Sequence, residues 1–136
     1  MNALAPIGRF MFSLIFVMSL PNHFKQQTID YAAAAGVPLA HVAVPLAGII
    51  ALLGGLSILL GFHARLGGIA LLVFLVPVTL FMHRFWGLSD PQQIQMQQVN
   101  FMKNVALMGG ALFFVYAGSG AYSLDNRLHR SERVSH

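Results

Sequence analysis

The sequence predicts an all-α fold, an integral membrane four-helix bundle with a short interfacial helix between its first and second helices. Charged residues make up only 9% of the 136 residues, whereas a soluble domain carries roughly 25%. The mean hydropathy is +0.69, and four long apolar stretches are separated by short polar ones. A surface so poor in charge has to face lipid, and each crossing needs about 20 apolar residues.

The apolar stretches are continuous, as in residues 42–62 and 66–82. Transmembrane β-strands alternate apolar and polar residues, so the pattern favours helices. We expect membrane helices at about residues 3–20, 42–62, 66–86 and 99–118. They form a single transmembrane domain over residues 1–126, followed by a basic C-terminal tail, residues 127–136.

Residues 10–20, within helix 1, also resemble the apolar core of a signal peptide, which is removed from a mature protein. The weakly basic region before them and the absence of a small-x-small site directly after Leu20 favour a membrane helix. Pro6 suits its first turn, and Pro21 ends its regular part.

The segment between helices 1 and 2 is polar and then rich in alanine. Residues 26–35 indicate a short helix that ends at Gly36, and Pro38 prevents its continuation. This helix is too short to cross a bilayer, so it lies in the interface or dips into the protein.

Helices 2 and 3 are joined by a tight turn at residues 61–67, and Pro77 predicts a kink within helix 3. A Gln-rich segment then leads into helix 4, which ends at residues 118–120. Small residues recur at intervals of four and predict close helix contacts, within one chain or with a second copy. These residues are Ala43, Ala47, Ala51 and Gly55 on helix 2, with Ala106 and Gly110 on helix 4.

The basic residues predict that both termini are cytoplasmic, since short cytoplasmic loops carry an excess of Lys and Arg. This orientation gives that side five basic residues, Arg9, Arg65, Arg127, Arg130 and Arg133. The opposite side receives three, Lys25, Arg84 and Lys103. The arginines of the tail suit anionic lipid headgroups better than nucleic acid.

Helix 4 begins with a polar face, because four amide side chains follow helical spacing beside Lys103. These are Gln93, Gln97, Asn100 and Asn104. They form either one wall of a polar pocket at an end of the bundle, or a wet loop with Lys103 snorkelling to the interface.

Three further polar side chains could contribute to such a pocket. Thr79 and His83 lie one turn apart at the end of helix 3, where an imidazole can exchange a hydrogen bond or a proton with a ligand carbonyl. Arg9 lies more than one turn inside helix 1, where a charge is costly. It serves either as an anchor to a carbonyl or phosphate, or as a ligand-binding residue.

Several kinds of active site are excluded by the residues present. The chain has no cysteine, which excludes dithiol and thiolate-metal chemistry, and its six histidines are scattered without metal-ligand spacing. No phosphate loop, nucleophile motif or carboxylate pair is present, so we assign no catalytic residue and no metal ligand.

Several segments together resemble the DoxX family of small bacterial inner-membrane proteins, and they cover nearly the whole chain. These segments are Gly8-Arg9, residues 31–38 (YAAAAGVP), 52–61 (LLGGLSILLG) with Arg65, 83–86 (HRFW), 101–110 (FMKNVALMGG) and 118–125 (GSGAYSLD). The resemblance implies a four-helix transmembrane bundle in the bacterial inner membrane. Family members resemble a subunit of an archaeal thiosulfate:quinone oxidoreductase, and others are linked to membrane oxidoreductase complexes. Many carry Glu or Gln in helix 2 where this chain has Ala51.

Three functions follow as expectations. The first is an accessory or partner-binding subunit of a quinone-linked membrane redox system, with a protein partner or a second copy of the chain docked on it. The second is a quinone- or lipid-binding protein whose polar end pocket is built from Arg9, Thr79, His83, Asn100, Lys103 and Asn104. The third is a carrier of small hydrophobic molecules. Quinone is the one cofactor that this reasoning suggests.

Overall fold

Among the residues that the structure describes, four helices are long and apolar enough to cross a membrane, as the sequence predicts. A computed structural model describes residues 1–134, and within that range all regular structure is helical. The helices are α1 (Leu4–Ser19), α2 (Gln26–Ala34), α3 (Ala40–Leu60), α4 (Ala64–Met82), α5 (Pro91–Ala117) and α6 (Leu124–Val134). A 3-10 helix, Leu20–Phe24, extends α1, so α1, α3, α4 and α5 are the four spanning helices.

Two spanning helices differ from their predicted ranges at the same end of the bundle. α4 ends at Met82 rather than at residue 86, because the backbone of His83 leaves helical geometry. α5 begins at Pro91 rather than at residue 99, so the Gln-rich segment is helical and is not a loop. The Asp90 side chain accepts a hydrogen bond from the Gln92 amide at 3.1 Å, and Pro91 suits the first turn.

Each spanning helix packs against the next in the order α1, α3, α4, α5. Phe12 of α1 closes the arrangement, because its ring lies 5.1 Å from that of Phe114 on α5. The shared core contains Phe16, Ala51, Ile58, Ala64, Leu71, Phe74, Leu75 and Ala111. Ala51 is therefore a fully buried core residue, and the position offers no polar group to a ligand.

Small residues allow the helices to approach closely inside this one chain. A Cβ placed on Gly67 of α4 would lie 2.9 Å from the Gly54 carbonyl oxygen of α3. Gly55 faces Phe16, and Gly110 faces the ring of Phe12. Two of the predicted small positions thus serve contacts between helices of the same chain, as expected where no hydrophobic force drives association.

The short helix α2 packs onto one end of the bundle and does not cross it. Ala32 is fully buried against Ala40 and Val44 of α3, with Met82 of α4 packed beside them. This contact fixes the position of Tyr31, the neighbour of Ala32, beside the end of α4.

The predicted tail is mostly helical, since α6 covers residues up to Val134. Residues 135–136 lie outside the described residues, as do the side chains of residues 132–134, Arg133 among them.

Candidate functional site

A chain of three hydrogen-bonded side chains lies where α2, α4 and α5 meet. His83 Nδ1 is 2.9 Å from Gln97 Oε1, and Gln97 Nε2 donates to Tyr31 Oη at 2.8 Å. The Tyr31 hydroxyl in turn donates to the Met82 carbonyl at 3.1 Å. We call these three residues the end chain.

The direction of the hydrogen bonds fixes the protonation of the imidazole. An amide oxygen can only accept, so His83 Nδ1 carries the proton that faces Gln97. Nε2 is therefore an acceptor while His83 is neutral. Burial lowers the pKa of His83 and the positive charge of Lys103 lowers it further, against the opposing effect of the Gln97 bond. The neutral ring is accordingly the dominant form at pH 7.

A half-open cavity of about 530 Å³ lies beside the end chain. Its polar lining comes from Tyr31, Arg84, Gln93 and Gln97. Its apolar lining comes from Ala34, Ala35, Phe81, Met82, Trp86, Leu88 and Met96. The cavity therefore combines apolar surface with hydrogen-bonding side chains in comparable amounts, and small-molecule sites use both kinds of group. We call it the end cavity.

The loop after α4 holds the rim of the end cavity in place. Arg84 donates to the Ala35 carbonyl at 3.1 Å, which ties the loop to the end of α2. Trp86 packs edge to face against Phe85 and Phe101, with ring centroids 5.3 and 5.9 Å away. Aromatic pairs of this kind stabilise a rim that no regular secondary structure supports.

Thr79 and Asn104 are hydrogen-bonded to each other and do not line the end cavity. Asn104 Nδ2 donates to Thr79 Oγ1 at 3.1 Å, and Thr79 donates to the Leu75 carbonyl at 2.6 Å. Both side chains are buried. This pair joins α4 to α5 inside the membrane, where side-chain hydrogen bonds between helices are favoured.

Asn100 and Lys103 lie outside the lining of the end cavity. Lys103 is exposed, and its ammonium group donates to Asn100 Oδ1 at 3.3 Å. Lys103 acts on the site through its charge, which lowers the pKa of His83.

Arg9 lies at the opposite end of the bundle, and its grouping with His83, Lys103 and Asn104 in one pocket is wrong. Its guanidinium donates to the carbonyls of Ser119 and Tyr122 at 2.6 and 2.7 Å. The side chain is only 3% exposed. Arg9 is thus an anchor to carbonyl groups, because α1 begins at the end of the bundle where α5 finishes.

The same end contains a second set of bonds around Asp125. The carboxylate accepts from the His63 amide at 3.0 Å and from the Ser119 hydroxyl. Burial raises the pKa of Asp125, but these bonds and the positive potential of His63 and His129 outweigh it, so the net pKa is lowered. Asp125 is therefore an ionised tether between the start of α6 and the turn that joins α3 to α4.

Sequence reasoning missed Tyr31 and Arg84 as parts of the site, and it used Gln97 only within a pattern. The partners in the bond between Gln97 and Tyr31 are 66 positions apart. No local pattern predicts that pairing. A usable signal was the spacing of Gln93 and Gln97, which places both on one face of α5.

No group of three or more His, Asp or Glu side chains that could hold a metal ion occurs within residues 1–134. The polar groups gathered at the end cavity are amides, a phenol, an imidazole and a guanidinium.

The DoxX family model matches residues 4–84. This match covers more than half of the chain, from the start of α1 to Arg84. The chain belongs to the DoxX family. The matched range includes Tyr31, Thr79 and His83, whereas Gln97 and the whole of α5 lie beyond it.

A curated relative aligns with the chain over a longer range. The chain is 28% identical over 123 residues to the inner membrane protein YphA of Escherichia coli (strain K12), which covers 89% of this chain and 87% of the relative. No solved structure matches the chain. Family membership and the four spanning helices together identify a multi-pass DoxX-family membrane protein.

Proposed function

We propose that this DoxX-family protein binds the head of an amphipathic membrane molecule, quinone-like or lipid-like, in the end cavity. In this proposal it acts as a non-catalytic subunit of a membrane redox system. The observation that carries the proposal is the half-open end cavity, whose lining brings Tyr31 and Gln97 of the end chain together with apolar side chains.

The lining favours a head that carries oxygen acceptors. Gln93 and Arg84 bring polar hydrogens to the cavity, as does the second amide hydrogen of Gln97, and the lining contains no carboxylate. Arg84 has one donor on the Ala35 carbonyl and retains others, since a guanidinium has five N–H groups. Quinone carbonyls and phospholipid phosphates or esters share this acceptor chemistry.

The volume and the walls suit the rest of such a molecule. About 530 Å³ lies within the range of roughly 300–1,000 Å³ that small-molecule sites occupy. Phe81, Met82 and Met96 supply apolar surface next to the donors. A head can therefore enter while its tail remains in contact with lipid.

The redox part of the proposal assigns electron transfer to another subunit. The chain has no cysteine, so a thiol pair is not available to it. Its role would be to hold a ligand near a partner protein. The inner-membrane location of the relative supports the same compartment for this chain.

The test is native mass spectrometry of the protein extracted gently from its own membranes. We expect an adduct with the mass of a quinone or of a phospholipid, and the measured mass distinguishes the two. In Gln97→Leu, which removes two hydrogen bonds of the end chain, the bound fraction should fall about five- to tenfold.

Gln98→Leu is the matched control, because Gln98 is the exposed neighbour on the same helix and receives the same chemical change. Its adduct should be unchanged. A quinone or phospholipid adduct that survives equally in both variants would overturn the proposed site. If the protein, expressed at its endogenous level, copurifies with lipid but with no membrane protein partner, the subunit role is overturned.

A further inference from the structure

The C-terminal helix α6 is an exposed helix that is fixed at its start. The Asp125 amide donates to the Gly61 carbonyl at 3.1 Å, and the Asp125 carboxylate accepts from His63. These bonds place the first turn of α6 beside the turn that joins the end of α3 to the start of α4. Within residues 1–134, α6 makes no extended contact with any other helix.

The exposed surface of α6 contains both apolar and basic side chains. Leu124 and Leu128 are one turn apart and are 39% and 54% exposed. Arg127 and Arg130 are also exposed and lie one turn apart. With about 100° per residue, Leu128 follows Leu124 on one face, and Arg127 borders that face.

The arginines point away from the tethered side of α6. Arg127 and Arg130 lie about 160° and 140° around the helix from Asp125. They are therefore available to a ligand while Asp125 stays bonded to the bundle. Tyr122, just before α6, is 67% exposed and is an aromatic residue of the kind enriched at membrane interfaces.

We propose that α6 is an interfacial helix that binds an anionic phospholipid leaflet. Its arginines contact lipid phosphates, and Leu124 and Leu128 contact the upper acyl chains. The bonds of Asp125 hold the start of α6 at the end of the bundle where α3 finishes and α4 begins. Arg127 borders the face that carries the two leucines, which matches the two layers of such an interface. This surface is separate from the end cavity, so the proposal does not depend on the proposed function.

The experiment places an environment-sensitive dye on α6 of the full-length protein in nanodiscs. The chain has no cysteine, so Leu128→Cys gives a single labelling position. We expect the emission to shift to the blue as phosphatidylglycerol replaces phosphatidylcholine. A high salt concentration should reverse the shift, because it screens the attraction between arginines and phosphates.

Charge variants in the labelled protein identify the arginines as the ligands. Arg127→Gln should weaken the membrane-bound state about fivefold in a titration with phosphatidylglycerol, since a basic residue near an anionic surface contributes about 1 kcal/mol. Lys25→Gln is the matched control, because it removes one exposed positive charge at the other end of the bundle.

Two results would overturn the proposal. One is a dye whose emission shows that it stays in water at every phosphatidylglycerol content. A dye that responds only to an added acidic polypeptide, such as polyglutamate, counts as the same outcome and would assign the surface to an acidic protein partner. The other is a double variant, Arg127→Gln/Arg130→Gln, that keeps the full shift.

Discussion

Gln97 holds two partners at once at the end cavity. Its amide accepts from His83 and donates to Tyr31, so one side chain joins α4, α5 and α2. Because both amide functions are used, neither Glu nor Leu can replace it without leaving a partner unbonded. The end cavity therefore depends on the identity of this residue more than on that of any exposed charge nearby.

Acid should destabilise the protein through His83. The pKa of His83 is lowered in the folded state, chiefly by burial, so the unfolded state binds more protons between that value and about pH 6.5. Stability is therefore complete above about pH 6.5 and is lost as the pH falls below it. We expect Tm to fall by about 2 °C or more between pH 7.5 and pH 5.

Fluorescence of Trp86, the only tryptophan, reports this transition from beside the end cavity. His83→Gln should remove the acid-dependent part of the fall in Tm. His41→Gln, at an exposed histidine near the same end, should leave it in place. An equal pH dependence in wild type and His83→Gln would contradict the assignment.

At the residue scale, the sequence indicates which amide side chains share a face of α5, and a ligand-binding role for the residues it singled out stays a prediction. The helical spacing of Gln93, Gln97 and Asn104 is real, and the last two are buried. Burial does not follow from spacing alone, and Lys103 on the same segment is exposed. Tyr31 was beyond prediction, because its position depends on how α2 packs against α3.

At the scale of elements, α4 approaches both of its neighbouring helices through glycine. A Cβ on Gly68 would lie 2.7 Å from the Ala111 carbonyl oxygen of α5. Gly67 makes a similar approach to α3 on the opposite side. Because backbone atoms are the neighbours, a side chain could be accommodated only by moving one helix away from another.

Gly68→Ala should lower the free energy of unfolding by about 1–3 kcal/mol, as overpacking does. Gly109→Ala is the matched control on α5, because nothing lies within 4 Å of a Cβ added there. It should be neutral or stabilising by up to about 1 kcal/mol through helix propensity. Equilibrium unfolding in detergent micelles measures both, and equal values for the two variants would contradict the packing argument.

Hydropathy predicted the four crossings but misplaced the start of α5. Residues 91–98 are rich in glutamine, so an apolar window cannot detect them. The signal that does predict this helix is Asp90 followed by Pro91, an N-cap and a first-turn residue. Capping residues are therefore more informative than hydropathy where a membrane helix extends into the aqueous phase.

At the scale of the whole molecule, the excess of basic residues predicts which side each end faces. We expect His129→Cys to react with a membrane-impermeant maleimide only from the cytoplasm, and Asn22→Cys only from the opposite side. Both positions are exposed, and they lie at opposite ends of the bundle. Labelling of intact and opened cells distinguishes them, and the reverse pattern would place the end cavity in the cytoplasm.

The same topology already separates Arg9 from His83. α1 starts on the side of the membrane where α4 also starts, and His83 follows the far end of α4. Counting the crossings was thus sufficient to exclude a common pocket. What the sequence could not supply was the true partner of Arg9, because a carbonyl acceptor leaves no signature in residue type.

The two carbonyls that bond Arg9 lie 110 and 113 positions later in the chain. A ribosome makes them more than a hundred residues after Arg9, so α1 enters the bilayer with a guanidinium that does not yet have these acceptors. A charge within a membrane helix costs up to about 2.5–3.5 kcal/mol. The insertion of α1 therefore reaches its final state only when the segment from Ser119 to Tyr122 has been translated and folded back onto it.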